Sequence, residues 1–470
     1  MKKVFVFCIG GTGLRVMKSI TMLMAGGMST NGYTVIPIII DPHLGLRERG
    51  NLNNLLDSYQ RVFDNTVQIP NGDGETLSPL KGFFRSPMLR LHQLDQKNSS
   101  YEDDSYGDEF QKYIERERLA NDDINKYLVS MLFSSRNLNN KLDEGFRGSP
   151  NVGTVVLGNI IEDSKWYDAF VRHCDKEDRA FIISSIFGGT GASGFPLMEK
   201  KIKQSENEAM REMTVGAVTV LPYYGLRDPE KSNSNIDSKN FYTKTKAALS
   251  YYYDHILSDY LYYVGETSLM AVYDNNEAEQ KDSANFIELT AASALFDFLN
   301  KQPSNPEKKP QCLSRCIAED SESLGMNELG SGFNELVKSV ADLALLSKLT
   351  QTLSEEKYFP LKKTKGWNKD FYEDKPFAAL RQFNETFDNW YKELANNKRA
   401  FAPLRTATGI SSGWVDGITL KAKDDSYYLL EMIKAGERKV KINHGNVFRH
   451  FMETAFTAIN HYTNKINDAK

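Results

Sequence analysis

Residues 180–194 read Ala180-Phe181-Ile182-Ile183-Ser184-Ser185-Ile186-Phe187-Gly188-Gly189-Thr190-Gly191-Ala192-Ser193-Gly194. The first eight are apolar apart from two serines, as in a strand buried on both faces of a parallel sheet. The next seven are all small, and from Phe195 to residue 202 the apolar recurrence is helical. Glycines at such a strand-to-helix junction allow φ > 0 and let an anion approach main-chain amides that a Cβ would shield. The chain opens on the same pattern: an apolar strand at 4–9, then Gly10-Gly11-Thr12-Gly13, then Leu14, Met17, Ile20, Met22 and Leu23 at helical spacing. A second apolar run, 33–40, ends at Asp41-Pro42, so residues 4–40 form a βαβ unit. The two glycine junctions stand about 180 positions apart. Each can present a row of N–H groups at the positive end of a helix, an arrangement that binds phosphate. Thr12, Thr190 and Ser193 can add hydroxyl donors.

Outward from these junctions the pattern alternates. Residues 68–108 are rich in Gly, Pro, Asn, Ser and acids and read as an exposed loop insertion. Helices are expected at 122–133, 166–173, 195–202, 241–253 and 285–299, and strands at 152–157, 180–187, 213–222 and 260–264. Residues 1–300 thus form an α/β, Rossmann-type domain. The Pro- and charge-rich stretch 301–311 is a linker to a smaller α+β domain at 301–470, with helices at 333–353, 377–394 and 447–466 and strands at 415–420 and 427–440.

Composition narrows the function. With 40% hydrophobic residues over 470 positions the chain can bury a large core. Lys and Arg total 58 against 62 Asp and Glu, so no overall charge draws the chain to nucleic acid. No window reaches the ~18 apolar residues of a membrane span. Residues 4–9 are too short for a secretory core, and four scattered cysteines suit the cytoplasm. Cys312 and Cys316 lack a second ligand pair, so no metal site is assigned to protein ligands.

The loop Gly188–Gly194 resembles the tubulin/FtsZ signature, Gly-Gly-Gly-Thr-Gly-[Ser/Thr]-Gly, with two departures. Phe187 stands where the first glycine is common, and Ala192 is inserted, which predicts a one-residue bulge. Gly145-Phe146-Arg147-Gly148-Ser149-Pro150 and Glu288-Leu289-Thr290-Ala291-Ala292 resemble segments of a bacterial tubulin-like family within that superfamily. The resemblance covers roughly residues 1–300 and implies GTP or GDP held between Gly10, Gly11, Thr12 and Gly13 on one side and Gly188, Gly189, Thr190, Gly191, Ala192, Ser193 and Gly194 on the other. It implies that Asp41 faces the Mg²⁺ or γ-phosphate region, although an Asx-turn before Pro42 is an equal reading. It makes the helix at 285–299 the central helix, with Asn285, Phe286 and Glu288 on the base side. Asn285 also reads as a helix cap and Phe286 as core.

The resemblance further implies self-association head to tail into filaments, with GTP hydrolysis completed by an acidic loop of the next subunit. Asn368-Lys369-Asp370-Phe371-Tyr372-Glu373 matches that loop in letters but lies about 70 residues after the central helix, so no catalytic residue is assigned. A non-hydrolysing nucleotide-binding scaffold or signalling component is the alternative. An NAD-dependent oxidoreductase is the second alternative, weakened by Val16 at the third glycine position of a dinucleotide fingerprint. A P-loop is excluded, since Met17 precedes Lys18-Ser19 where glycine is required.

Overall fold

Every residue of the strand β1 (Lys3–Ile9) from Val4 onward is buried, as its unbroken apolar run requires. In the computed structural model β1 lies inside a parallel sheet. The structure describes residues 1–42, 47–67, 79–97, 109–142, 145–146, 148–226, 241–266, 271–273, 275–276, 279–280, 283–303, 311–313, 323–324, 334–354, 367–401, 403, 432–440 and 446–467. Five main strands, β1, β2 (Thr34–Ile40), β3 (Arg179–Ser185), β4 (Thr214–Val220) and β5 (Tyr260–Val264), are joined at one edge by the short β6 (Gln311–Leu313). Their order is β2-β1-β3-β4-β5-β6 and all pairings are parallel. The chain runs outward from β1 to β2, then returns to build β3 to β6 on the other side of β1. The strand order therefore reverses between β1 and β3, and a doubly wound sheet opens a crevice at that point, beyond the carboxyl ends of the strands.

Helix α1 (Gly10–Ala25) leaves β1, α2 (Arg47–Thr66) follows β2, and α3 (Pro150–Asp163) and α4 (Lys165–His173) lead into β3. Helix α5 (Thr190–Lys203) leaves β3, α6 (Phe241–His255) lies between β4 and β5, and α7 (Phe286–Asn300) follows β5. Helix α7 packs on α1, β4 and β5. The mixed α/β architecture with a parallel sheet is thus the one the alternating pattern predicts.

Three expectations are corrected. Residues 152–157 are not a strand but part of α3: Pro150 starts the helix, and Val152, Val156, Leu157 and Ile161 are buried at helical spacing. The β-branched run there made the periods hard to separate. Residues 432–437 are helical where a strand was expected, with Met432, Ile433 and Gly436 buried one turn apart; the strand expected at 415–420 lies outside the described residues. Within the expected insertion, residues 79–97 are part of the core: Phe83 and Phe84 are fully buried, and Val35 and the 87–89 segment exchange two hydrogen bonds of 3.0 Å along the free edge of β2. The other parts of that insertion, 68–78 and 98–108, lie outside the described residues.

Beyond residue 320 the described chain is mostly helical: α8 (Asn334–Ser354), α9 (Lys375–Asn396) and α10 (Val447–Asn467), with one two-residue strand pairing between Ser323–Leu324 and Ala400–Phe401. The apolar core continues without a break from the sheet into these helices. The Tyr59 and Phe383 rings meet across α2 and α9, and the Ser339 hydroxyl donates to the Leu23 carbonyl at 3.0 Å, joining α8 to the end of α1. At that junction Gly26 is indispensable sterically, because an added Cβ would strike the Ser339 hydroxyl and carbonyl oxygens and lie 2.9 Å from its carbonyl carbon. Gly26→Ala is expected to destabilise the protein by about 1–3 kcal/mol, read as a lower urea midpoint with an unchanged slope.

Candidate functional site

The two glycine junctions meet. Gly10 has φ +69°, and a Cβ placed on it would lie 3.3 Å from the Thr190 Cβ and 3.5 Å from the Gly191 amide nitrogen. The first turns of α1 and α5 therefore face one another at the point where the strand order reverses. Several of the glycines have a steric reason. A Cβ on Gly13 would sit 2.7 Å from the Cys8 carbonyl carbon, one on Gly191 2.6 Å from the Ser185 carbonyl oxygen, and one on Gly194 2.7 Å from the Ile9 side chain. Gly189 closes against the 145–150 segment, since its Cβ would fall 2.9 Å from the Phe146 Cβ and 3.0 Å from the Gly148 nitrogen. The Lys244 ammonium of α6 donates to the Gly148 carbonyl at 2.6 Å and holds this wall in place.

Neither helix start has a side-chain cap: Ile9 and Gly189 occupy the cap positions of α1 and α5. Elsewhere Asp123, Ser164, Asn285, Asn368 and Asp374 cap their helices with side-chain oxygens. The first amides of a helix have no partner within it, and the macrodipole adds positive potential there. Two such ends facing each other are suited to an anion carrying several negative charges. Gly11, Gly188, Thr190 and Ala192 are half-exposed, and Gly10, Thr12, Gly13, Gly189, Gly191, Ser193 and Gly194 are buried behind them. The inserted Ala192 makes no bulge, because α5 is helical from Thr190 onward and takes it up as an ordinary first-turn residue. Phe187, the other departure, packs beneath the loop against Phe241 and Tyr224, with ring centres at 4.8 and 5.5 Å.

The polar candidates divide. The Ser193 hydroxyl donates to the Gly189 carbonyl at 2.8 Å, so its one proton stabilises the loop itself. The Thr12 oxygen accepts from Arg15 at 3.4 Å, and Thr190 stands at the mouth. Asp41 is buried at the end of β2; the pairing of Ile9 with Ile40 sets it beside Gly10, and its carbonyl accepts from Arg49 at 3.1 Å. The three base-side candidates have structural roles. The Asn285 side chain accepts from the Ile287 amide at 2.9 Å as the cap of α7, and the buried Phe286 ring packs on Phe401. Glu288 completes the capping box with the Asn285 amide at 3.1 Å.

Sequence reading did not single out the partner of Glu288. Arg15 of α1 donates to Glu288 Oε1 at 2.7 Å, the Tyr223 hydroxyl donates to the same oxygen at 2.7 Å, and Arg15 also reaches Tyr223 at 3.0 Å. All three side chains are buried. Burial pushes the Glu288 carboxyl above its ordinary pKa, against the opposing pull of Arg15, and pushes the Tyr223 hydroxyl up as well. The cluster locks the first turns of α1 to the start of α7. No local signal announced it: one turn away from Arg15 stand Thr12, Lys18 and Ser19, so that face of α1 does not mark the arginine as buried.

The Asn368–Glu373 segment is remote in character from a loop offered to a neighbour. Asn368 caps the helix Lys369–Glu373 through the Phe371 amide at 3.1 Å, and Phe371 packs on Phe377 and Phe451. Among the described residues no group of three His, Cys, Asp or Glu is placed to hold a metal ion, and no helix is long and apolar enough to cross a membrane. No family model matches the chain, and no curated protein matches it.

Proposed function

We propose that this chain is a guanine-nucleotide-binding protein of the tubulin/FtsZ type that associates head to tail. The observation that carries the reading is the meeting of two uncapped, glycine-built helix starts at the reversal point of the sheet. A dinucleotide fold needs one such loop; an oligophosphate gripped from both sides uses two. The amides of residues 10–13 and 189–192 would hold the phosphates, and Thr190 would add a hydroxyl at the mouth. Mg²⁺ keeps several waters and is bound chiefly through phosphates, so Asp41 beside Gly10 is a sufficient protein carboxylate, acting through water. Such a bound ion neutralises phosphate charge; the loops orient the phosphates and exclude bulk water.

The Asn368–Glu373 segment favours a second reading, a nucleotide-binding scaffold that does not hydrolyse. Its asparagine and two aromatics are committed to a cap and to the core. The two readings separate on adding GTP to the purified protein. Head-to-tail assembly with hydrolysis predicts rising light scattering and phosphate release that grows faster than linearly with protein concentration. The scaffold predicts stoichiometric guanine nucleotide without phosphate release. Competition of GTP binding by NAD would contradict both.

A further inference from the structure

The helix Ile124–Leu132 lies on the surface, with none of its residues fully buried. Ile124, Tyr127, Leu128, Met131 and Leu132 are all exposed, Ile124 by 79% and Met131 by 84%. Their spacing places them on one stripe. The other side holds the helix in place: Val129 packs against the core, and at the surface Lys126 donates to Asn121 at 2.7 Å and Arg116 to the Ser130 hydroxyl at 3.4 Å. Asn151 of α3 donates to the Leu132 carbonyl at 3.4 Å and fixes the far end. A contiguous apolar stripe of this kind on a soluble surface marks an interaction site.

We propose that the stripe pairs with the same stripe of a second copy of this chain, antiparallel about a two-fold axis. An isologous contact must be self-complementary, and this helix is: Asp122 and Asp123 precede it and the exposed Arg136 follows it. Antiparallel pairing sets each acidic start against the partner copy's basic end, whereas parallel pairing would align like charges. A lipid surface fits less well, because residues 115–136 hold four acidic and four basic side chains, and helices seated on anionic membranes carry a basic excess. Five apolar side chains per copy cover less than the ~1,200 Å² that stable interfaces bury. The pairing is therefore weak alone and gains strength where copies are already linked. In a head-to-tail assembly it becomes the lateral contact between filaments; that role rests on the proposed function, whereas the pairing itself does not.

Cysteine cross-linking without nucleotide tests the geometry. Leu128 is the midpoint of the helix, so a two-fold axis brings it against its own copy within the ~4 Å Cβ separation a disulfide needs. Under mild oxidation Leu128→Cys is expected to give covalent dimer above the wild-type background. Ile124→Cys alone is expected to give none, and a mixture of Ile124→Cys with Leu132→Cys is expected to give the heterodimer. Leu128→Glu, exposed and so expected to keep the wild-type circular dichroism, should weaken self-association in sedimentation by ~30-fold or more. Homodimer from Ile124→Cys equal to that from Leu128→Cys, or no Leu128→Cys product, would overturn the proposal. So would a wild type that stays monomeric at its highest soluble concentration while floating with lipid vesicles.

Discussion

Ala192→Asp is expected to weaken GTP binding by ~100-fold or more while leaving the fold at least as stable as the parent. Ala192 is half-exposed in the first turn of α5, three residues after its uncapped start at Gly189. A carboxylate there accepts from the free amides and offsets the macrodipole, which stabilises a helix by about 0.3–1 kcal/mol. The same carboxylate occupies the ground proposed for phosphate, and a like charge at that distance costs several kcal/mol of binding. Stability and affinity thus move in opposite directions, which general damage to the protein cannot imitate. Equilibrium dialysis with labelled GTP and a thermal melt on the same sample check both halves. Parental affinity in the variant would remove the α5 amides from the site.

Arg15→Met is expected to lower stability by about 3–5 kcal/mol, the usual cost of leaving one partner of a buried ion pair alone. Glu288 is 1% exposed, and its carboxyl is already raised by burial against the pull of Arg15. Without the guanidinium the folded-state pKa rises further, so the folded protein holds this proton more tightly than the unfolded chain does. Stability therefore falls as pH rises from the ordinary glutamate range, with an unfolded value near 4.5, up through the raised folded value. The variant should be closest to wild type near pH 4 and worst at pH 8. Adding Glu288→Gln removes the buried charge and should restore part of the loss at pH 8 with little effect at low pH. Urea midpoints of the wild type, the single variant and the double variant across that range provide the check, and a deficit independent of pH would contradict the assignment of the charge to Glu288.

Much of this was legible in the chain itself because the strands are fully buried and their turns are glycine. The junctions at Gly10 and Gly188 announced strand, turn and helix through composition alone, and the helices at 166–173, 241–253 and 377–394 followed from apolar recurrence. Register was not legible. That Gly10 meets Thr190 depends on β1 pairing with β3 rather than with a later strand, and a parallel pairing leaves no mark on local sequence. Residues 152–157 misled because a β-branched run satisfies both periods, and only the Pro150 start decides for helix. The cap role of Asn285 was read from the sequence; the part of Glu288 in the same capping box, three residues on, was not, and neither was the Arg15 contact, 273 positions away.

The account turns on phosphates being held by main-chain amides from two facing glycine turns. Thermal stabilisation by a series of matched ligands, GTP, GDP, GMP and guanosine at equal concentration with Mg²⁺, tests this most directly, because protection scales with the logarithm of affinity. Guanosine should leave the melting temperature unchanged, GMP should raise it slightly, and GDP and GTP should raise it by several degrees, with the gain absent in Ala192→Asp. Equal protection by guanosine and GDP, or none by any member of the series, would contradict it.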